Sequence, residues 1–339
     1  MLTRELSERQ PGAITKPRGK EPDPFVFSTA MIRDLQLMNF AREMVRIAQW
    51  PPALSAGAGG RPQTYRDESI WVTLLVMMVW QVSPREMAKR LARWEELALA
   101  CGYEPGGTIS ASQLYRRRDR LGLWVYFLTF VALVWVLISR GVITGRDWVI
   151  DSTIIDVFSR KDDQAGWSFS KRFGYKVHLL MCRDSLLPLM LLVSPANRND
   201  APWAVPLMAL TQALFHLPVQ QVRADAAYFT HSVLTFISTV LHAVPKVVFN
   251  PRKAGKKFLV TFAWLSQLRA DKGKRGYIER FFAVLKRYFR LNDLRTQGAA
   301  LAFRHALEAC CAVLLVAWLA DVLGRPDLMH SRSRLLAPC

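Results

Sequence analysis

Apolar residues recur at helical spacing through the first 140 residues and at strand spacing beyond them. "TAMIRDLQLMNFAREMVRIAQW" (29–50) predicts a helix that stops at Pro51–Pro52, and "ALSAGAGGRPQTY" (53–65) reads as a Gly/Ala/Pro linker. "RDESIWVTLLVMMVWQV" (66–82) restarts the helical pattern. "SPREMAKRLARWEELALACG" (83–102) predicts one more helix, with Ser83 as N-cap, Pro84 in the first turn and Gly102 at the C-terminal end. "SASQLYRRRDRLG" then leads into a long apolar helix, and no strand is legible before Gly141. After it, "DWVIDSTIIDVF" (147–158), "GYKVHLLMCR" (174–183) and "LPLMLLVSP" (187–195) predict a three-strand meander. A helix over 200–215 interrupted by Pro206, a strand over 220–228, a helix over 230–242 and a strand over 244–250 follow. Residues 250–275 read as a basic loop, and two helices occupy roughly 276–292 and 297–323. The order βββαβαβ followed by helices predicts a mixed α/β sheet covered on both faces. Residues 1–27, polar and Pro-rich, are expected to be a disordered tail, 28–140 an all-α N-terminal domain, and 326–339 a C-terminal tail.

One segment, "LGLWVYFLTFVALVWVLIS" (121–139), is long enough to cross a bilayer. Its flanks are basic at both ends, which gives no orientation bias, and a buried core helix is the preferred reading. The five cysteines and six histidines show neither CxxC nor HxxxH spacing, so neither a zinc site nor a disulfide framework is expected and a reducing cytosol fits. Charge changes the picture most. With 46 Lys and Arg against 27 Asp and Glu, the formal charge is +19, which points to a polyanionic partner, nucleic acid before membrane. Residues 250–295 hold thirteen Lys or Arg and three acids, dense enough for a DNA-backbone track, and "YRRRDR" (115–120) either follows DNA or lies on the surface without a partner.

Within that basic stretch sits an acid. On a helix through "RGYIERFFAVLKRYF", Ile278, Phe281, Phe282, Leu285 and Phe289 form one apolar stripe, with Arg275, Glu279, Lys286 and Arg290 on a neighbouring strip. Glu279 could simply pair with Arg275 across one turn. Two further acids weigh against that bland reading: Asp151 closes the run "WVI", and Asp225 follows the short strand "VRA". Carboxylates at strand ends are costly unless a cation or donors offset them, and strand ends in open sheets are where sites are built. Asp151, Asp225 and Glu279 could converge to hold two divalent ions, as Mg²⁺ prefers oxygen ligands and phosphoryl transfer uses paired metals.

At "DST" (151–153), "FGYKVHLL" (173–180), "PANRND" (195–200), "ADAAY" (224–228) and "RGYIERFFAVLKRYF" (275–289) the chain resembles the DDE transposases of bacterial insertion sequences, in the group related to insertion sequences four and five. The resemblance covers about residues 60–325 and implies an RNase H-like catalytic domain over 141–325, with the helical domain before it binding DNA. It implies that Asp151, Asp225 and Glu279 bind Mg²⁺ or Mn²⁺ as a two-ion site in the family's manner, for metal-dependent cleavage at transposon ends and strand transfer into target DNA. The family signature Tyr-x2-Arg-x3-Glu-x6-Lys maps onto Arg275, Glu279 and Lys286, with Lys272 at its tyrosine position. Arg275, Lys286, Arg287, Arg290, Arg280 and Lys176 are the expected DNA contacts; His178 either neighbours the site or serves the core. Asp200 is expected to cap the next helix, and Asp156 stands beside the motif acids. The implied partners are terminal inverted repeats and target DNA, handled by a homodimer, without a membrane, in the bacterial cytoplasm at the nucleoid. The alternatives are a decayed or domesticated copy that binds DNA without cutting it, and a membrane-associated helical protein.

Overall fold

A computed structural model describes residues 65–249 and 276–335. The expected N-terminal tail, the 29–50 helix, the 250–275 basic loop with Lys272 and Arg275, and the last four residues lie outside them. The first described part is helical: α1 (Asp67–Trp80), α2 (Pro84–Arg93), α3 (Glu95–Ala100), α4 (Ala111–Arg120) and α5 (Leu123–Ser139). Ser83 caps α2 as expected, its side chain accepting from the Glu86 N–H at 3.2 Å with Pro84 in the first turn. The single helix expected over 83–102 is instead two. Trp94 is extended (φ −120°, ψ 99°) and packs its ring on the core, and the bend it makes lets Leu97 and Ala98 bury as well.

The strands are β1 (Asp147–Asp156), β2 (Gly166–Trp167), β3 (Phe173–Cys182), β4 (Leu187–Pro195), β5 (Gln221–Ala224) and β6 (Val244–Val247). They form one mixed six-stranded sheet in the RNase H-like manner. β1, β3 and β4 are antiparallel neighbours, β5 and β6 run parallel to β1 on its other side, and β2 pairs with the start of β3. The expected meander is therefore present, with the two-residue β2 as an addition too short to show periodicity. Gly174 is required where β3 crosses β1: a Cβ there would lie 2.0 Å from the Ile155 carbonyl oxygen.

Helix α6 (Ala201–Phe215) covers one face, and it runs through Pro206 without interruption. Pro206, the sixth residue, loses the bond to the Pro202 carbonyl and crowds it, and burial of Ala204, Leu207 and Met208 holds the helix together across that turn. After β5 come α7 (His231–Thr235), continued by a π turn over Phe236–Val240, and then β6. Helices α8 (Gly276–Tyr288), α9 (Ala299–Val322) and α10 (Arg332–Leu335) complete the chain.

Apolar all round, α9 must be surrounded, and it is: α1 and α5 pack on it from one side, β3 and β4 from the other. One continuous core thus joins the helices before β1 to the sheet. The apolar 121–139 run buries Tyr126, Phe130, Leu133 and Leu137 in that core, as its core-helix reading expects. Among the described residues α9 is the single unbroken helix long and apolar enough to cross a bilayer, yet 72% of its most apolar window is buried inside the fold. All four described cysteines are buried and free.

The start of α9 is held by the loop after β1. Buried Asp162 accepts from the Tyr175 hydroxyl at 2.8 Å, the Gly298 N–H at 2.9 Å and the Gln164 N–H at 3.1 Å. Gln164 Oε1 accepts from the Ala299 N–H at 2.8 Å, so two side chains from another element satisfy donors that α9 leaves open. Asp162→Ala is expected to lower stability by about 2–4 kcal/mol, since it strands three donors at once, measured as a shift in the urea midpoint.

Candidate active site

Residue alternation decides which side chains share a face. Asp151 pairs in register with Leu179, whereas Ser152 lies opposite His178, and these two sets point to opposite faces of the sheet. On the parallel neighbour Ala224 is level with Ile150, so Asp225, the next residue, lies beside Asp151 and on its side. Both half-buried carboxylates line a cleft of ≈ 490 Å³, together with Val149, Arg223, Lys246, Val248, Tyr277 and Ile278. Each carboxylate also fixes its own backbone. Asp151 Oδ1 accepts from the Ser152 N–H at 2.8 Å, and Asp225 Oδ1 accepts from the Ala227 N–H at 2.7 Å, capping the tight turn Ala226–Tyr228.

Helix α8 supplies the cleft's far wall. Ile278, Phe281, Phe282 and Leu285 are buried as the stripe predicted, with Phe289 just past the helix end also buried, so Glu279 and its basic neighbours are turned outward. Glu279 directly follows the two α8 residues of the cleft wall and is exposed. Among the described residues no three acids, histidines or cysteines come close enough together to hold an ion. The donor set nonetheless suits a hard cation: two carboxylates in one cleft are what Mg²⁺ takes from a protein when phosphate oxygens and waters complete its shell.

The cationic residues divide into two groups. Arg280 and Arg287 are exposed and lie 5.7 and 5.4 Å from the rings of Tyr277 and Tyr288; Arg290, also exposed, follows the helix with φ 54°. Lys286 is half-buried between Arg172 and Asp156, and burial lowers its pKa first, with Arg172 adding to the effect. Lys176 is different: its ammonium is bound to Asp200 at 3.0 Å and to the Arg198 carbonyl at 2.9 Å on the face opposite the cleft. Arg275 lies outside the described residues.

Asp200 occupies the N-cap position of α6 but makes no capping hydrogen bond, contrary to expectation. Its carboxylate instead accepts from Ser152 Oγ at 2.8 Å and from Lys176, because two donors on neighbouring strands compete better than the helix end. His178 is fully buried, stacks on Trp203 and shares a 2.8 Å hydrogen bond with Ser194; burial brings its pKa down to about 4, leaving a neutral ring of the core. Asp156 is engaged by Arg172 at 2.7 and 2.9 Å. Tyr228 went unnoticed in the sequence beyond its place in "ADAAY". Burial raises its pKa, and the charges of Asp151, Asp200 and Asp225 push the same way, so the phenol stays protonated.

Part of "YRRRDR" has partners within the chain, while Tyr115, Arg116 and Arg120 stay exposed. Arg117 pairs with Asp67, Arg118 makes a two-point contact with Glu308, and Asp119 receives Arg304 at 3.2 Å. The cluster ties α4 to α1 and α9.

A mixed sheet with Asp151 midway along β1, not at its end as expected, with Asp225 just past the end of β5 and a facing helix that carries an acid in a basic strip, is the arrangement expected of a DDE-type transposase domain. The chain belongs to the transposase DDE domain family, whose model matches residues 145–315. It is 32% identical over 128 residues to a Brucella ovis protein whose name assigns it as a transposase for insertion sequence element IS6501, a match spanning 38% of this chain and 88% of that one. Among solved structures it resembles the piggyBac transposase synaptic complex with hairpin DNA, at 9% identity and a TM-score of 0.48 over 91% of this chain and 80% of that one, too distant to bear on the site.

Proposed function

We propose that the chain is a DNA transposase that cuts phosphodiester bonds at transposon ends and joins the freed 3′ ends to target DNA. The observation that carries this is the placement of Asp151 and Asp225 side by side in one cleft, walled by Tyr277 and Ile278 of α8, the helix that carries Glu279 and the basic strip just outside it. Those three carboxylates would hold a divalent ion or a pair of them. Such ions, when bound, activate the attacking oxygen and neutralise charge on the leaving oxygen.

The chain's own residues do the rest. The apolar walls Val149, Val248 and Ile278 limit water in the cleft, which strengthens each charge interaction inside it. Arg280, Arg287, Arg290 and Lys286 hold the phosphate backbone as it passes along α8, with Arg275 expected to extend the track. Lys176 acts through Asp200, fixing Ser152 and with it the strand segment that carries Asp151. The Tyr228 phenol keeps a donor beside the acids. Two copies acting on paired ends in the bacterial cytoplasm complete this reading.

A second reading, a relic that binds DNA without cutting it, draws on the failure of the three acids to close on one point among the described residues. Both are tested by incubating the full chain with labelled DNA carrying the element's flanking ends, in Mg²⁺, Mn²⁺ or EDTA. Nicking at the end in either metal and none in EDTA supports the transposase; tight binding without product in any condition supports the relic. Binding itself is expected to weaken about 10³-fold or more between 50 and 200 mM salt if six or more phosphates are neutralised. A flat salt profile would remove DNA as the partner.

A further inference from the structure

Beyond the cleft, the loop between β1 and β3 exposes three aromatic rings. Phe158 is 80% exposed, Trp167 52%, and Phe169 is as open as an isolated residue at 108%. Rings held in water are costly at roughly 25 cal/mol per Å², and a cluster of them on a polar rim marks a binding surface. Their support is firm. Trp167 and Phe173 form a cross-strand pair, centroids 5.2 Å apart, and the turn between them is closed by Ser168. The Ser168 N–H donates to the Arg172 carbonyl at 2.7 Å, its carbonyl accepts from the Lys171 N–H at 3.0 Å, and its hydroxyl oxygen accepts from the Arg172 N–H at 3.0 Å. Lys171 takes the left-handed conformation, φ 58°, that this turn needs. Phe169 therefore projects from a fixed hairpin tip.

The rings are interleaved with cations. The Arg160 guanidinium stands 5.6 Å from the Trp167 ring, Lys161 and Lys171 are exposed, and of the acids nearby Asp162 is buried, Asp156 is bound to Arg172 and Asp163 is exposed. Arg172 and Asp156 also neighbour Lys286, so the basic strip of α8 continues into the hairpin. Exposed rings alternating with cations match a nucleic-acid strand whose bases are unstacked, since every base has a face for an aromatic ring and every nucleotide a phosphate for a cation. A protein partner would meet the same rings but has no need of the cations that continue to the cleft.

We propose that the β2–β3 hairpin, with Phe158 beside it, is a stacking platform for unpaired bases of a DNA strand leaving the cleft. Asp151 and Asp156 are five strand residues apart, ~17 Å, so the platform begins about that far along β1 from the cleft. The proposal rests on the DNA reading given above, and its test separates the two. The full chain, wild type, Phe169→Ala and Phe169→Trp, is titrated against a labelled dT 20-mer and a duplex of equal length, with sedimentation of each protein alone.

Phe169→Ala is expected to bind the single strand about tenfold more weakly, Phe169→Trp to restore it, and duplex affinity to change within about twofold. Equal affinities of wild type and Phe169→Ala for the single strand, with duplex binding intact, overturn the platform and leave the DNA reading standing. An equal loss on both DNAs overturns it as well, because the ring would then serve the whole interface or the fold. A change in self-association without a change in single-strand affinity reassigns the hairpin to a protein contact. Wild type that binds neither DNA ends both readings.

Discussion

Asp225→Asn, compared with wild type on DNA bearing the element's ends, is expected to lose cleavage by on the order of 10²–10³-fold or more while duplex binding changes little. The amide keeps the shape and can still accept from the Ala227 N–H, so the turn Ala226–Tyr228 stays capped. What it loses is the negative charge, and a carboxylate that helps stabilise a phosphoryl transition state is worth several kcal/mol, each 1.36 of them a factor of ten. Asp151→Asn should behave alike, since it lines the same cleft with the same kind of backbone anchor. Glu279→Gln is the discriminating member of the set. It stands outside the cleft wall, so a loss as large as that of the two aspartates shows that α8 draws in when DNA is bound, and full retention removes Glu279 from the site. Gel quantification of nicked product in Mn²⁺ and Mg²⁺ reads all three.

Glu308→Ala is expected to destabilise the whole protein by about 3–5 kcal/mol, the largest effect on folding foreseen here. Glu308 is buried on α9 with its two oxygens turned to Arg118, and Arg304 one turn away is buried too, its guanidinium over the Tyr126 ring. Removing the acid leaves Arg118 without the carboxylate that holds it and Arg304 with Asp119 as its remaining countercharge, and breaking a buried pair costs more than the pair contributes. Glu308→Gln should cost less, because the amide can still accept from Arg118. Thermal melting of the two variants against wild type checks the order; equal melting temperatures for all three would mean that water reaches the cluster.

Asp151 and Asp225 could be found because strand alternation and a run of apolar neighbours are local signals, and a charged residue ending such a run stands out. Glu279 stood out for a similar reason, one acid in a basic helix whose apolar stripe already fixed its orientation. The Arg118–Glu308 pair spans 190 residues, and nothing in "YRRRDR" points to a partner so far along the chain. Asp200 misled because the sequence shows the helix start it precedes but not Ser152 and Lys176, which reach it only once the strands are in register. Trp94 breaks its helix and Pro206 does not, in both cases because tertiary burial outweighs local preference.

Helix α9 carries a consequence for how proteins of this kind change over generations. Its 24 residues are the shared wall of two compartments, touched by α1 and α5 on one flank and by β3 and β4 on the other. A chimera that takes everything before β1 from one relative and everything after it from another would bring together surfaces that never matched, and leave Arg118 and Arg304 facing a stranger's side chains. A change on either flank of α9 is therefore felt on the other, so an exchange of halves needs α9 refitted to both sets of neighbours.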